Sequence, residues 1–372
     1  MFRRLAHTLP PDPSFPVDLE KLGFFVTTED KIRQIQNPSH KFQYRINTNE
    51  RVNQAYKLAN NLAVRNIILE RLEELGVETV RLPLGAKEGE KHVPILVSKD
   101  IKSKKRVILF LGERQMEPGV LSWRAIGEQG IKHGSLVDLV DALKNGSSST
   151  DESSGPGIIV ANPCQLLWYR GGRRAVSRNE WMDLPRETGV SEAMRIDEVK
   201  NYIDHNRDYT EHINYVFDQV LPELVRKDAK VDIIGLEYSV TAAFEYLAKH
   251  WNTWSQRITG ICIAGAQYKM ADLVANGAPP EFVDFISKRC RFYAPSSSPL
   301  ETPVTGRQRF GCNCYASGED EYHENVVVKA WRSMLGWFDF LYTHPAYEEI
   351  ELVVDEVASE EVNLGWSGEQ NQ

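Results

Sequence analysis

The sequence predicts an α/β protein: a mostly parallel central sheet flanked by helices on both faces, a three-layer sandwich. Short apolar runs bounded by Gly, Pro or Asn alternate with segments of helical apolar spacing, which is the pattern a parallel sheet requires. The chain has 372 residues, 42% hydrophobic and 26% charged, an ordinary globular composition that can bury one large core.

The first helix is read at Asn49 to Leu75, where Val52, Tyr56, Ala59, Leu62, Ala63, Ile67 and Leu72 keep a helical period that Gly76 closes at C′. Strands follow at Val77 to Leu82, Pro94 to Val97, Val107 to Leu111 and Ile158 to Ala161. Asn145 to Gly157 is almost wholly Ser, Gly and acid, too polar to offset its ordering entropy, and reads as a flexible loop inside the domain. A long helix is expected from about Ile196 to Arg226, bent by Pro222. Val231 to Gly235 is a strand, Val240 to His250 a helix, Ile258 to Ala264 a strand and Asn325 to Tyr342 a last amphipathic helix. One domain is expected over 1–345, and 346–372 forms an acidic tail. From Ser333 onward the chain has no Lys or Arg, and the tail reads either as a solvated terminus or as a dock for a basic partner.

Several function classes are disfavoured. A net charge of −8 argues against a nucleic-acid binder working through overall positive potential. The five scattered cysteines, Cys164, Cys262, Cys290, Cys312 and Cys314, fit reduced intracellular thiols better than a disulfide framework. Cys312 and Cys314 would share one face of a strand, but two thiols do not make a zinc site. No metal or cofactor is expected: no His or Cys lies at finger-like spacing near these thiols, no Walker-type loop is present, and Gly171-Gly172 lacks the strand-to-helix context of a phosphate site. No apolar run suits a membrane span or a secretory leader.

The informative junction is Val231-Asp-Ile-Ile-Gly-Leu-Glu-Tyr-Ser-Val, in which a strand enters a helix through Gly235-x-Glu237-x-Ser239. In G-x-S-x-G hydrolases the middle residue is the nucleophile on a strained elbow, with small residues on either side. Here Glu237 holds that position, Ser239 replaces the second glycine, and β-branched Val240 follows where tight packing is wanted. A carboxylate has no hydroxyl proton for a histidine to remove, so the acyl-enzyme route is closed. Two alternatives remain: a carboxylate nucleophile acting on alkyl carbon, and a structural carboxylate held by hydrogen bonds or an arginine.

The chain also resembles a known family. Phe2-Arg-Arg-Leu-Ala-His7, Phe15-Pro-Val-Asp-Leu19, Leu22-Gly-Phe-Phe25, strand 107–111, the elbow at 235–239, Ser296 to Thr302 and Ala316 to His323 are together similar to the Argonaute-binding-protein-two (ARB-two) domain family, over roughly residues 2–345. The resemblance implies an α/β-hydrolase-like fold. It also implies one of three settings: a fungal Argonaute-associated small-RNA chaperone complex, the C-terminal half of fungal class II histone deacetylases, or animal nuclear homologues linked to splicing. With no deacetylase domain present, the stand-alone fungal setting is the closest. It implies Argonaute and a second adaptor as partners, with histones as an alternative, and residence in nucleus and cytoplasm.

Some relatives carry G/A-H-S-Y-G at the elbow, with their serine at the position of Glu237. Their His-Gly after the third strand corresponds to Leu111-Gly112, and their acid after the next strand falls near Gly265. Only His323 stands where a triad histidine would, with Glu319 or Asp320 as candidates to orient it. Catalysis is therefore not expected.

The one basic cluster with interleaved aromatics is Trp168 to Arg178. Arg170, Arg173, Arg174 and Arg178 are the candidate partner-binding residues, for an acidic protein surface or for RNA phosphate. The plainer reading is a loop pinned to acids such as Asp183 and Glu187.

Overall fold

The computed structural model describes residues 8–145 and 155–354. Its main sheet contains β1 (Val77–Leu82), β2 (Val93–Ser98), β3 (Arg106–Leu111), β4 (Gly157–Ala161), β5 (Lys230–Leu236), β6 (Ile258–Ala266), β7 (Cys290–Ala294) and β8 (Asn313–Ala316). Across the sheet the order is β1-β2-β4-β3-β5-β6-β7-β8, and a two-residue strand, Pro303–Val304, lies antiparallel on the β8 edge. β2 is antiparallel to both neighbours, and every pairing from β4 through β8 is parallel. This order, with its reversed second strand, is that of an α/β-hydrolase sheet. The strand order reverses between β3 and β5, so their carboxyl ends open onto the crevice where such sheets place ligands.

The helices that frame the sheet are α1 (Glu50–Glu74), α2 (Trp123–Gln129), α3 (Leu136–Asn145), α4 (Arg178–Asp183), α5 (Glu237–Trp254), α6 (Pro280–Arg289) and α7 (His323–Thr343). Strand alternation divides the core between two faces. Val107, Leu109 and Leu111 of β3 pack with Phe244 of α5 and Phe282 of α6, while Ile108 and Phe110 pack with Ile68 of α1 and Trp331 and Phe338 of α7. The α1 boundaries follow the sequence signals: the Asn49 side chain accepts from Arg51 N–H, and Gly76 takes φ +80° just past the end.

The expected helix over 196–226 is broken. Glu198–Asn201 forms one short turn, and the chain then turns at Ile203 to Asn206, where His205 has φ +61°. Helix resumes at Tyr209–Tyr215 and widens into a π-helical stretch, Val216–Val220, in which Leu221 N–H donates five residues back to Val216. Pro222, which has no N–H to donate, sits just beyond that widening. Buried His212 holds this run to the end of β4: its Nε2 accepts from Asn162 N–H, and its Nδ1 lies 2.7 Å from Asn206 Oδ1. Burial lowers its pKa to about 3, so the ring is neutral and Nδ1 carries the proton.

Residues 270–316 hold structure that the apolar pattern left unassigned, including α6 and β7. The sequence loop 145–157 lies largely outside the described residues, as does the tail beyond 354. The described start of that tail is docked on its own domain. Glu349, 7% exposed, accepts from Arg291 Nε at 2.7 Å and Asn313 Nδ2 at 3.0 Å, and Glu348 and Glu351 pair with Lys288 and Arg307. Arg291 is in turn held between the Tyr315 and Trp337 rings, so the strap crosses β7 and β8 at a fixed place. All five cysteines are free and buried. No helix among the described residues is long and apolar enough to cross a membrane.

Removing Glu349 would leave the Arg291 charge without its buried partner. Glu349→Ala is expected to lower the unfolding free energy by about 3 kcal/mol in a urea titration, whereas Glu348→Ala leaves the midpoint unchanged.

Candidate functional site

The junction of β5 and α5 forms the elbow that the sequence suggests. Glu237, the first residue of α5, has φ +43°, a left-handed conformation that side chains other than glycine rarely adopt and that stores roughly 1–3 kcal/mol. Two contacts hold the turn. A Cβ on Gly235 would lie 2.6 Å from Val240 Cβ, so strand and helix approach closely only because Gly235 has no side chain. Val240, fully buried, thereby makes the tight packing and does not obstruct it. Ser239, also buried, donates its hydroxyl to the Gly112 carbonyl at 2.5 Å and ties the elbow to the end of β3.

The elbow opens into a cavity of about 390 Å³ lined by Glu237, Gly265, His323, Glu113, Glu321 and Glu324, among others. Three positions singled out in the sequence, Glu237, Gly265 and His323, therefore meet in one place. Gly265, at φ +63°, brings no acid, and a Cβ there would be in ordinary contact with Glu237 Cγ at 3.6 Å. His323 is exposed at the first turn of α7 and makes no side-chain hydrogen bond among the described residues. Glu319 does not orient it. Its Oε1 accepts from the Glu321 and Tyr322 N–H groups and its Oε2 from Asn325 Nδ2, so it fastens the turn that leads into α7.

Residues that sequence reasoning missed define the electrostatics. Burial raises the Glu113 carboxyl to about 8, with the charges of Glu237 and Glu324 adding to the effect. Glu237 is also raised by burial, partly offset by the nearby Arg114 guanidinium, which rests 4.0 Å over the Tyr238 ring. Two neighbouring carboxyls with raised affinity for protons are reluctant to ionise together. Glu113 and Arg114 directly follow the Leu111-Gly112 departure, and Glu321 and Glu324 flank His323. The signal was thus adjacent to residues already noted, but only the fold brings the two segments together. Among the described residues, no three His, Cys, Asp or Glu side chains form a group able to hold a metal ion.

The basic cluster lies elsewhere. It forms a hairpin, Leu167–Tyr169 with Arg174–Val176, and Arg170 and Arg173 stand exposed at its turn. Arg174 pairs with buried Glu180, rather than with the Asp183 or Glu187 that the sequence suggested. Arg178 begins α4 and lines a larger cavity of about 990 Å³ together with Arg114, Lys91 and Arg207.

The sign of the Glu113 shift sets a pH dependence. The folded protein keeps a proton on Glu113 between its ordinary value of 4.5 and about 8, while the unfolded chain has lost it. Stability from this group is complete below the lower value and falls as pH rises towards the upper one. Glu113→Gln, which mimics the protonated form, is expected to be more stable than wild type near pH 9 and indistinguishable from it near pH 4, by thermal melting.

A family model described as the Arb2 domain matches residues 15–300. No curated protein matches the chain. Among solved structures, one described as a histone deacetylase from Saccharomyces cerevisiae is similar at 13% identity and TM-score 0.42, over 76% of this chain and 98% of that one. The histone deacetylase Clr3 is similar at 13% identity and TM-score 0.42, over 75% of this chain but 38% of that one. The esterase Est22 is similar at 9% identity and TM-score 0.36, over 78% of this chain and 89% of that one. Likenesses at this level say nothing about activity.

Proposed function

This chain belongs to the Arb2 domain family, and from that premise we propose that it is a non-catalytic binding subunit built on a hydrolase shell. The observation that carries the reading is Glu237 on the strained elbow, sharing its cavity with Glu113. Acyl transfer needs a hydroxyl or thiol nucleophile and donors aimed at a developing oxyanion. Here the nucleophile position holds a carboxyl, which has no hydroxyl or thiol to offer, and Glu321 and Glu324 add acidic side chains to the same cavity. The alternative use of Glu237 as a nucleophile towards alkyl carbon is disfavoured by its raised pKa, which reduces the ionised fraction, and by an unoriented His323.

The assembly we infer is an Argonaute-associated small-RNA chaperone complex that supports heterochromatic silencing, the setting of the stand-alone fungal members that the chain resembles. Its partners there are Argonaute and a second adaptor. Arg170 and Arg173 are exposed and make no side-chain ion pair among the described residues, so they are available to an acidic partner surface.

Affinity purification of the tagged full chain from its native cells, read by mass spectrometry, tests this. The expected outcome is Argonaute with a second adaptor at near-equal amounts, and reduced recovery of both with Arg170→Glu and Arg173→Glu combined. Recovery of histones in their place would favour a chromatin-binding module, and recovery of the chain alone would contradict a subunit role.

A further inference from the structure

A second cavity of about 260 Å³ lies between α1, α2, α4 and the loop after β3, meeting the elbow cavity at Gln115 and the cavity of about 990 Å³ at Gln115, Ser177 and Asn179. Its wall contains polar groups withdrawn from water and left without partners. Asn60 is 3% and Glu180 4% exposed, yet Asn60 Nδ2 and Glu180 Oε2 have no hydrogen-bond partner among the described residues. The same is true among the described residues of Arg65 Nε and Nη1 and of Glu117 Oε2, although the Glu117 carboxyl also takes a hydrogen bond from Trp123. Arg65 and Glu117 feel each other's charge, but no ion pair joins them among the described residues. Folded proteins rarely leave so many buried donors and acceptors unmet in one place, so the arrangement implies an occupant.

The chemistry of the wall narrows the occupant. Donors on Asn60 and Arg65 require acceptors, and the oxygens of Glu117 and Glu180 require donors, so the ligand presents both. Lys57 and Arg65 are outnumbered by Glu117, Glu180 and Asp183, which disfavours an anion and favours a neutral ligand rich in N–H donors. Trp123 and Tyr44 supply aromatic surface suited to a planar ring. The volume lies below the roughly 300–1,000 Å³ of drug-sized sites, yet is many times the roughly 30 Å³ of one liquid water.

We propose that this cavity binds a purine base with a lactam edge, guanine as the free base or nucleoside. Its O6 and N7 would accept from Arg65 and Asn60, and its N1–H and N2–H₂ would donate to the oxygens of Glu180 and Glu117. Adenine reverses the donor and acceptor at the six-position and lacks the two-amino group, so it leaves Arg65 and at least one carboxylate unmatched.

Calorimetric titration of the full chain with guanosine, inosine and adenosine tests the assignment. Guanosine is expected to bind most tightly, with inosine weaker for want of the N2 donor and adenosine weakest, by about tenfold or more. Glu180→Gln and Arg65→Met, each checked for an unchanged melting profile, are each expected to weaken guanosine by about tenfold. Using both variants guards against a folding defect from losing the Arg174 contact at Glu180. Equal binding of the three nucleosides, no detectable guanosine binding, or a crystal structure grown with guanosine that shows only ordered water on these atoms would overturn the proposal.

Discussion

The close approach of β5 and α5 is the constraint from which the site follows. Gly235 lets Val240 pack directly over the strand, and Ser239 fastens the same turn to the Gly112 carbonyl at the end of β3. With both sides of the turn held, the residue between them has no choice but φ +43°, and Glu237 is presented at the topological switch point between β3 and β5. The strain that would normally serve to expose a nucleophile is therefore still maintained. The core on both faces stabilises it, because the turn can relax only by separating α5 from a sheet that buries Phe244 and Leu247.

The elbow presents a carboxyl where G-x-S-x-G hydrolases present a hydroxyl. The cavity at the elbow is lined by carboxyl groups, and burial penalises the charged forms of two of them, with repulsion from Glu237 and Glu324 adding to the effect at Glu113. The non-catalytic reading proposed above rests on this change of side chain at the elbow. Other features work in the same direction: Gly265 contributes no acid, and Glu319 is engaged at the front of α7 in place of orienting His323.

Much of this was legible in the sequence where the signal is local. Asn49 and Gly76 mark the ends of α1 because capping depends on residues within one turn, and the elbow was readable because strand, turn and helix are contiguous. The apolar runs located the strands on the β1 side of the sheet and at its centre. The run over 196–226 misled, because its amphipathic spacing continues across Ile203 to Asn206 while the backbone turns there. Glu113, Glu324 and the docked Glu349 were not legible for a different reason: each acquires its role from a partner far away in sequence, Glu237 for the first and Arg291 for the last. The resemblance to the Arb2 domain family was carried by the order of several weak motifs, and it correctly indicated the hydrolase-like sheet.

The proposed binding role requires that the carboxyl on the elbow is not a nucleophile. Its most direct test is turnover of a panel of acyl and alkyl esters by the purified chain, compared with Glu237→Gln, which keeps the shape and removes the charge. Neither protein is expected to exceed the buffer rate with any ester. Turnover by the wild type that is lost in Glu237→Gln, with a covalent adduct on Glu237 in the mass spectrum, would contradict it.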